Sequence, residues 1–139
     1  MEMTVTGKIQ ASFDAQSMMK TLGAKLVSVA DGQCEITAPL LPGSLQQQGF
    51  GHAALTFAIG DTAAGYAALS VIPEDCEVLT SEIKINLLSP AKGDLLIARG
   101  KVVKPGRRLI VVTSDVFARD GDQEKLIALM QGTMVPVTI

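Results

Sequence analysis

Residues 53–72, AALTFAIGDTAAGYAALSVI, form a long apolar run that carries a single charge, Asp61. A run of this length matches a bilayer core. However, Asp61 sits in its middle, Ala and Gly dominate it, and no Lys or Arg occurs between Leu26 and Ile83 to anchor its ends. The remaining solution is a helix apolar nearly all round, which has to be buried by protein. Its small residues, among them Ala53, Ala54, Gly60, Ala63, Ala64 and Gly65, let another backbone approach closely.

The rest of the chain supplies what could bury it. With 139 residues, 47% of them apolar, and no repeat or low-complexity linker, the sequence reads as one domain over residues 1–139. Residues 13–23 (FDAQSMMKTLG) have Asp14 near the start, Gly23 at the end and apolar residues at helical spacing, which predicts a short amphipathic helix. Residues 24–30 and 33–39 flank Asp31-Gly32 and read as a hairpin. Four further strands are expected at 78–88, 94–104, 108–118 and 124–137, joined by turns at Lys92-Gly93, Pro105-Gly106 and Asp120-Gly121. That order predicts a four-stranded antiparallel meander. A curved antiparallel sheet wrapped around a long central helix is the α+β architecture called the hot-dog fold. One such sheet leaves strand edges open, so self-association as a dimer or a dimer of dimers is expected.

Charge narrows the partners. The net charge of −2 gives no global field for nucleic acid, yet Lys84, Lys92, Arg99, Lys101, Lys104, Arg107 and Arg108 stand against one acid, Asp94, between residues 84 and 108. A local site for a small anion fits this excess. The start, MEMTVTGK, has an acid where an export signal carries basic residues, which points to a cytoplasmic location and no membrane partner. Cys34 and Cys76 lack metal-site spacing and read as small buried hydrophobes.

Candidate chemistry gathers around the apolar run. A lone carboxylate there needs a partner, a raised pKa or a task. Asp61 thus reads as the cap of a helix break at Gly60, as a residue facing solvent at a helix end, or as a general base or nucleophile in a cleft. His52, the only histidine, precedes the run directly after Gly49-Phe50-Gly51. The first N–H groups of a helix have no internal partner and can hold an oxyanion, so the start of this run is a second candidate. Gln46, Gln47 and Gln48 form either a plain polar loop or a source of one inward amide.

Three segments carry a family resemblance: Gln46-Gln-Gln-Gly49-Phe-Gly-His52-Ala53-Ala54, Gly60-Asp61-Thr62-Ala-Ala-Gly65-Tyr-Ala-Ala, and Leu88-Ser89-Pro90-Ala91-Lys92-Gly93-Asp94. Together they resemble hot-dog thioesterases of the phenylacetic-acid-degradation type, within the acyl-CoA thioesterase superfamily. The resemblance implies that Asp61 is the catalytic carboxylate, that the Ala53 N–H polarises the thioester carbonyl, and that Gln46 positions the thioester or water. It also implies that Thr80 is contributed from the opposite subunit. Leu87, Leu88, Ser89, Pro90 and Lys92, with Lys104, Gly106, Arg107 and Arg108, fall in regions that hold coenzyme A in that family. His52-Ala53-Ala54 replaces the family's usual His-Gly-Gly. A backbone donor survives that change, but two added methyls narrow the acyl entrance.

The implied activity is hydrolysis of an acyl- or arylacyl-CoA thioester, without metal or cofactor because coenzyme A is part of the substrate. Two alternatives are a hot-dog enoyl-CoA hydratase or dehydratase using His52 with Asp61, and a non-catalytic acyl-CoA binding domain.

Overall fold

In the computed structural model, which describes residues 4–138, the apolar run is one helix enclosed by a single sheet. The elements are α1 (Val5–Asp14), α2 (Ser17–Thr21), β1 (Lys25–Ala30), β2 (Gln33–Pro39), α3 (Ala53–Leu69), β3 (Cys76–Leu87), β4 (Leu95–Lys104), β5 (Ile110–Asp120) and β6 (Gln123–Thr138), with a 3-10 turn at Pro42–Ser44. At 1.5 Å per residue, α3 is about 25 Å long. It stops three residues before the end of the apolar run. The Ser70 hydroxyl there accepts from the Gly32 N–H at 2.8 Å and ties the helix end to the β1–β2 turn. Among the described residues, no helix is long and apolar enough to cross a membrane.

All strand pairs are antiparallel, and the order is β1-β2-β4-β5-β6-β3. The architecture is the α+β hot-dog fold. The expected meander is corrected in one respect: β4, β5 and β6 follow one another, but β3 pairs with β6 while β4 pairs with β2. The β3–β4 connection makes this possible, because the Gly51 N–H donates to Ala91 O at 2.9 Å and carries the chain beneath the start of α3 to the far side. An alternating pattern says which face of a strand is apolar, not which strand lies beside it.

The small residues of α3 have the anticipated use. A Cβ on Gly100 of β4 would overlap the Ala63 backbone, and one on Gly60 would overlap Met130 Sδ of β6. Helix and sheet therefore touch nearly backbone to backbone. Larger residues fill the flanks of this contact: Leu55, Ile59, Ile36, Leu96, Val112 and Val116 are all fully buried, each contributing about 1.5–3 kcal/mol.

The N-terminal expectation also changes. Residues 13–23 are not one helix: α1 runs through Asp14, Gln16 takes extended backbone, and α2 follows. Thr4 caps α1 by accepting from the Gly7 N–H at 2.9 Å, so Asp14 closes a helix rather than opening one. The interruption has a partner, since Gln16 Nε2 donates to the Tyr66 hydroxyl of α3 at 2.6 Å. Cys34 is buried as expected, its thiol pushed up to about 12 mainly by burial and secondarily by Glu35. Cys76, at the start of β3, is only half-buried.

The two sheet edges differ. β1 has six residues and a bulge between Leu26 and Ser28, features that discourage pairing with another chain. β3 has twelve residues, with Leu79 and Leu87 59% and 56% exposed, and it ends the sheet as an edge strand on which Lys8 of α1 reaches Cys76 O.

Candidate active site: two half-sites on one helix

At its N-terminus α3 opens onto a cavity of about 510 Å³. His52 is the N-cap, and its Nδ1 accepts from the Ala54 N–H at 2.8 Å. The Leu55 and Thr56 N–H groups both point to His52 O. That leaves the Ala53 N–H, among the described residues, without a protein acceptor, at the positive end of the helix dipole and on the cavity wall. Acceptance at Nδ1 places the His52 proton on Nε2 and gives the ring a structural duty.

Gln46 lines the same cavity. Its Oε1 is taken by the N–H groups of Gln48 and Phe50, which closes the 46–50 turn, while its Nε2 reaches only Gln48 Oε1 at a loose 3.4 Å. The amide therefore offers a donor to the cavity and not an acceptor. Gly49 has φ +86 in this turn, and a Cβ on Gly51 would press on Leu40 and Ala91. Both glycines are thus required by geometry. Leu87, Leu88, Ser89 and Pro90 form the opposite wall, and Phe50, Thr56 and Ile127 complete it.

Asp61 is not in this cavity. It lies eight residues beyond Ala53, about 12 Å along the axis and roughly a quarter-turn round it, in a separate cavity of about 230 Å³. Thr80 Oγ1 donates to Asp61 Oδ1 at 2.8 Å. Burial pushes the Asp61 carboxyl above the usual carboxylate range, and the Thr80 hydrogen bond partly opposes that rise. Thr80 reaches inward because β3 bulges between Thr80 and Glu82, so that Thr80, opposite Met134, and Ile83, opposite Gly132, both face the helix. Thr80 thus pairs with Asp61 of its own chain, so the two side chains belong to one half-site.

The implied coenzyme A segments separate in the same way. Lys92 lies beside the first cavity, in a neighbouring one of about 530 Å³ shared with Phe50, Ala91 and Asp94. Lys104, Gly106, Arg107 and Arg108 form the exposed β4–β5 turn at the other end of α3, where Val102 packs on Gly32 and Ile110 packs with Ala64 and Ala68. Within one chain they do not meet Leu87–Lys92. Arg99 is not free for an anion, because it pairs with Glu35 at 2.9 Å and Glu124 at 2.8 Å on the outer sheet face and lies over the Phe117 ring. Sequence reasoning missed Ser12, Gln16, Tyr66 and Glu77 around Asp61. Tyr66, the only tyrosine, was the one available signal.

The chain is similar in structure to a thioesterase family protein from Silicibacter pomeroyi, at 39% identity and a TM-score of 0.93 over 95% of this chain and 97% of that one. It is also similar to a Bacillus halodurans protein whose structure contains CoA, at 25% identity, with a TM-score of 0.79 over 92% and 80% of the two chains. The PaaI protein of the E. coli phenylacetic acid degradation operon shares the fold, at 24% identity, with a TM-score of 0.84 over 96% of each chain. A family profile described as the thioesterase superfamily matches residues 48–125, more than half of the sequence and the whole stretch from Gln48 through Asp61 and Thr80 to β6. With profile and fold in accord, the chain belongs to the thioesterase superfamily.

Proposed function

We propose that this protein hydrolyses acyl-CoA thioesters at a site completed by two copies of the chain. The observation that carries this reading is the separation of an unpartnered helix N–H at Ala53 from a half-buried carboxylate at Asp61. A thioester carbonyl must meet an oxyanion donor and a nucleophile or base within about 3 Å of one carbon. One chain holds these groups about 12 Å apart. The Leu87 end of β3 lies at the first cavity and the Thr80 end at the second. Antiparallel pairing of two β3 edges about a two-fold axis sets the first half-site of one copy beside the second half-site of the other. The exposed Leu79 and Leu87 on that edge support such pairing.

In the proposed reaction the thioester oxygen sits at the Ala53 N–H, where a donor of this kind contributes roughly 100- to 1,000-fold in rate. Asp61 takes a proton from water, hydroxide adds to the carbonyl carbon, and the C–S bond breaks. The thiolate of coenzyme A then recovers the proton from Asp61. A variant route, with Asp61 attacking the carbonyl and water opening the resulting anhydride, uses the same groups. Lys92 of one half-site and the Lys104–Arg108 turn supply cations for the phosphates of coenzyme A. The location is proposed as the cytoplasm.

Complementation tests this reading. Asp61→Asn and Ala53→Pro are each expected to be nearly inactive on acyl-CoA. Refolded together in equal amounts, they form mixed dimers with one site doubly damaged and one intact, which recovers about a quarter of wild-type turnover. No recovery from a mixed dimer of demonstrated composition rejects the two-chain site. A wild type that releases no thiol from any acyl-CoA rejects the activity.

The hydratase alternative loses support at His52, whose Nδ1 already accepts from the Ala54 N–H as the helix cap.

A further inference from the structure

Gly65 is a glycine that the protein's own packing does not explain. It lies in the interior of α3, where Gly is unfavourable relative to Ala. Each other close-packed glycine of the core has a reason: a Cβ on Gly60 would strike Met130, and one on Gly100 would strike the Ala63 backbone. A Cβ on Gly65 would meet only Val78 Cγ2, at an unstrained 4.0 Å. Its φ is helical, so backbone conformation does not require glycine either.

The space above Gly65 belongs to the Asp61 cavity. Asp61, Gly65 and Leu69 follow one another at i, i+4 and i+8, so they form one stripe along α3, and all three line that cavity. The stripe is about 12 Å long from Asp61 to Leu69. Val78 of β3 lines the same cavity, as does Tyr66, whose hydroxyl is held by Ser12 at 2.9 Å and by Gln16. The extended backbone at Gln16, between α1 and α2, brings its amide onto Tyr66 at this cavity.

Resting on the thioesterase reading above, we infer that Gly65 is the specificity-determining residue of the acyl site. The acyl group leaves the reacting carbon at Asp61 and lies across Gly65 toward Leu69, and the missing side chain is the room it occupies. The substrate class is an acyl group longer than acetyl.

The test is Gly65→Ala and Gly65→Val, assayed by thiol release on acetyl-, butanoyl-, hexanoyl-, octanoyl- and phenylacetyl-CoA, together with Tm and oligomeric mass. A methyl group placed where substrate must lie discriminates about 10- to 200-fold. Gly65→Ala is expected to lower the ratio of kcat/KM for hexanoyl-CoA to that for the shortest group turned over by at least about 10-fold, and Gly65→Val further. Meanwhile Tm for Gly65→Ala rises by roughly 2–5 °C, because alanine suits a helix better and touches nothing. Equal losses on every acyl group, or a fall in Tm with loss of the wild-type oligomer, overturn the inference, since the room then belongs to a packed backbone. Wild-type hydrolysis with an unchanged chain-length profile in both variants overturns it while leaving the thioesterase reading intact. Absence of wild-type hydrolysis on the whole panel overturns both.

Discussion

Ala53 and Asp61 share one rigid helix, two turns apart, with the Ala53 N–H facing one cavity and the Asp61 carboxylate another. No side-chain rotation closes about 12 Å along a helix axis. Each half can therefore be disabled by substitution without disturbing the other.

Ala53→Pro removes the single free N–H and little else. Position 53 is the first helical residue, where proline is well accommodated, and His52 has φ −66 and ψ 144, the extended geometry that a residue before proline prefers. Turnover is expected to fall about 100- to 1,000-fold while Tm stays within a few degrees of wild type. Steady-state kinetics and differential scanning calorimetry check the two together. Unchanged turnover removes Ala53 from the oxyanion role.

Asp61→Asn separates activity from stability in opposite directions. Burial raises the carboxyl's pKa, so the folded protein prefers the protonated form. The stabilising contribution is present at low pH and is lost as pH rises through the raised value, which leaves a penalty at neutral pH. Asparagine carries no charge and still accepts from Thr80 through Oδ1. At pH 7 the variant is therefore expected to melt above wild type while losing at least about 100-fold in turnover, and the Tm difference disappears under acid conditions.

Thr80→Val addresses the same carboxylate from the other side. The Thr80 hydroxyl is the contact that lowers the Asp61 pKa against the effect of burial. Without it, the acid limb of kcat/KM against pH is expected to move to higher pH, since the free enzyme's base titrates there. A limb that stays in place, or moves to lower pH, means that another group controls the profile.

Gly100→Ala tests the backbone contact between helix and sheet. Its new Cβ would overlap the carbonyl group of Ala63, which has no rotamer through which to move away. A loss of about 1–3 kcal/mol in denaturant melts is expected. Gly121→Ala serves as a contrast: nothing stands near its Cβ, and its cost comes only from a φ of +64.

The complementary behaviour of Gly60 and Gly65 shows why sequence alone reads only part of the site. Both appear as small residues in an apolar helix. Only the position of Met130 explains the first, and only the empty neighbourhood of the second marks it as space reserved for something else.

The sequence by itself determined the central helix and the strands. A twenty-residue apolar run cannot be left in water, so it had to become a covered helix. Alternating strands at 78–88 through 124–137 had to present one apolar face to it. The lone charge at Asp61 and the glycine turn before His52 stand out as candidate positions, because an isolated carboxylate and an open helix start are conspicuous in any apolar context. Only the tertiary structure decided which strands are neighbours, that β3 became the free edge, that Thr80 reaches its own chain's Asp61 through a bulge, and that the basic turn at Lys104–Arg108 lies at the opposite end of α3 from Leu87–Lys92. These are long-range relations. Periodicity fixes which way a side chain faces within its own element, whereas pairing between elements depends on how connections such as 88–94 cross the core, and no local pattern encodes that path.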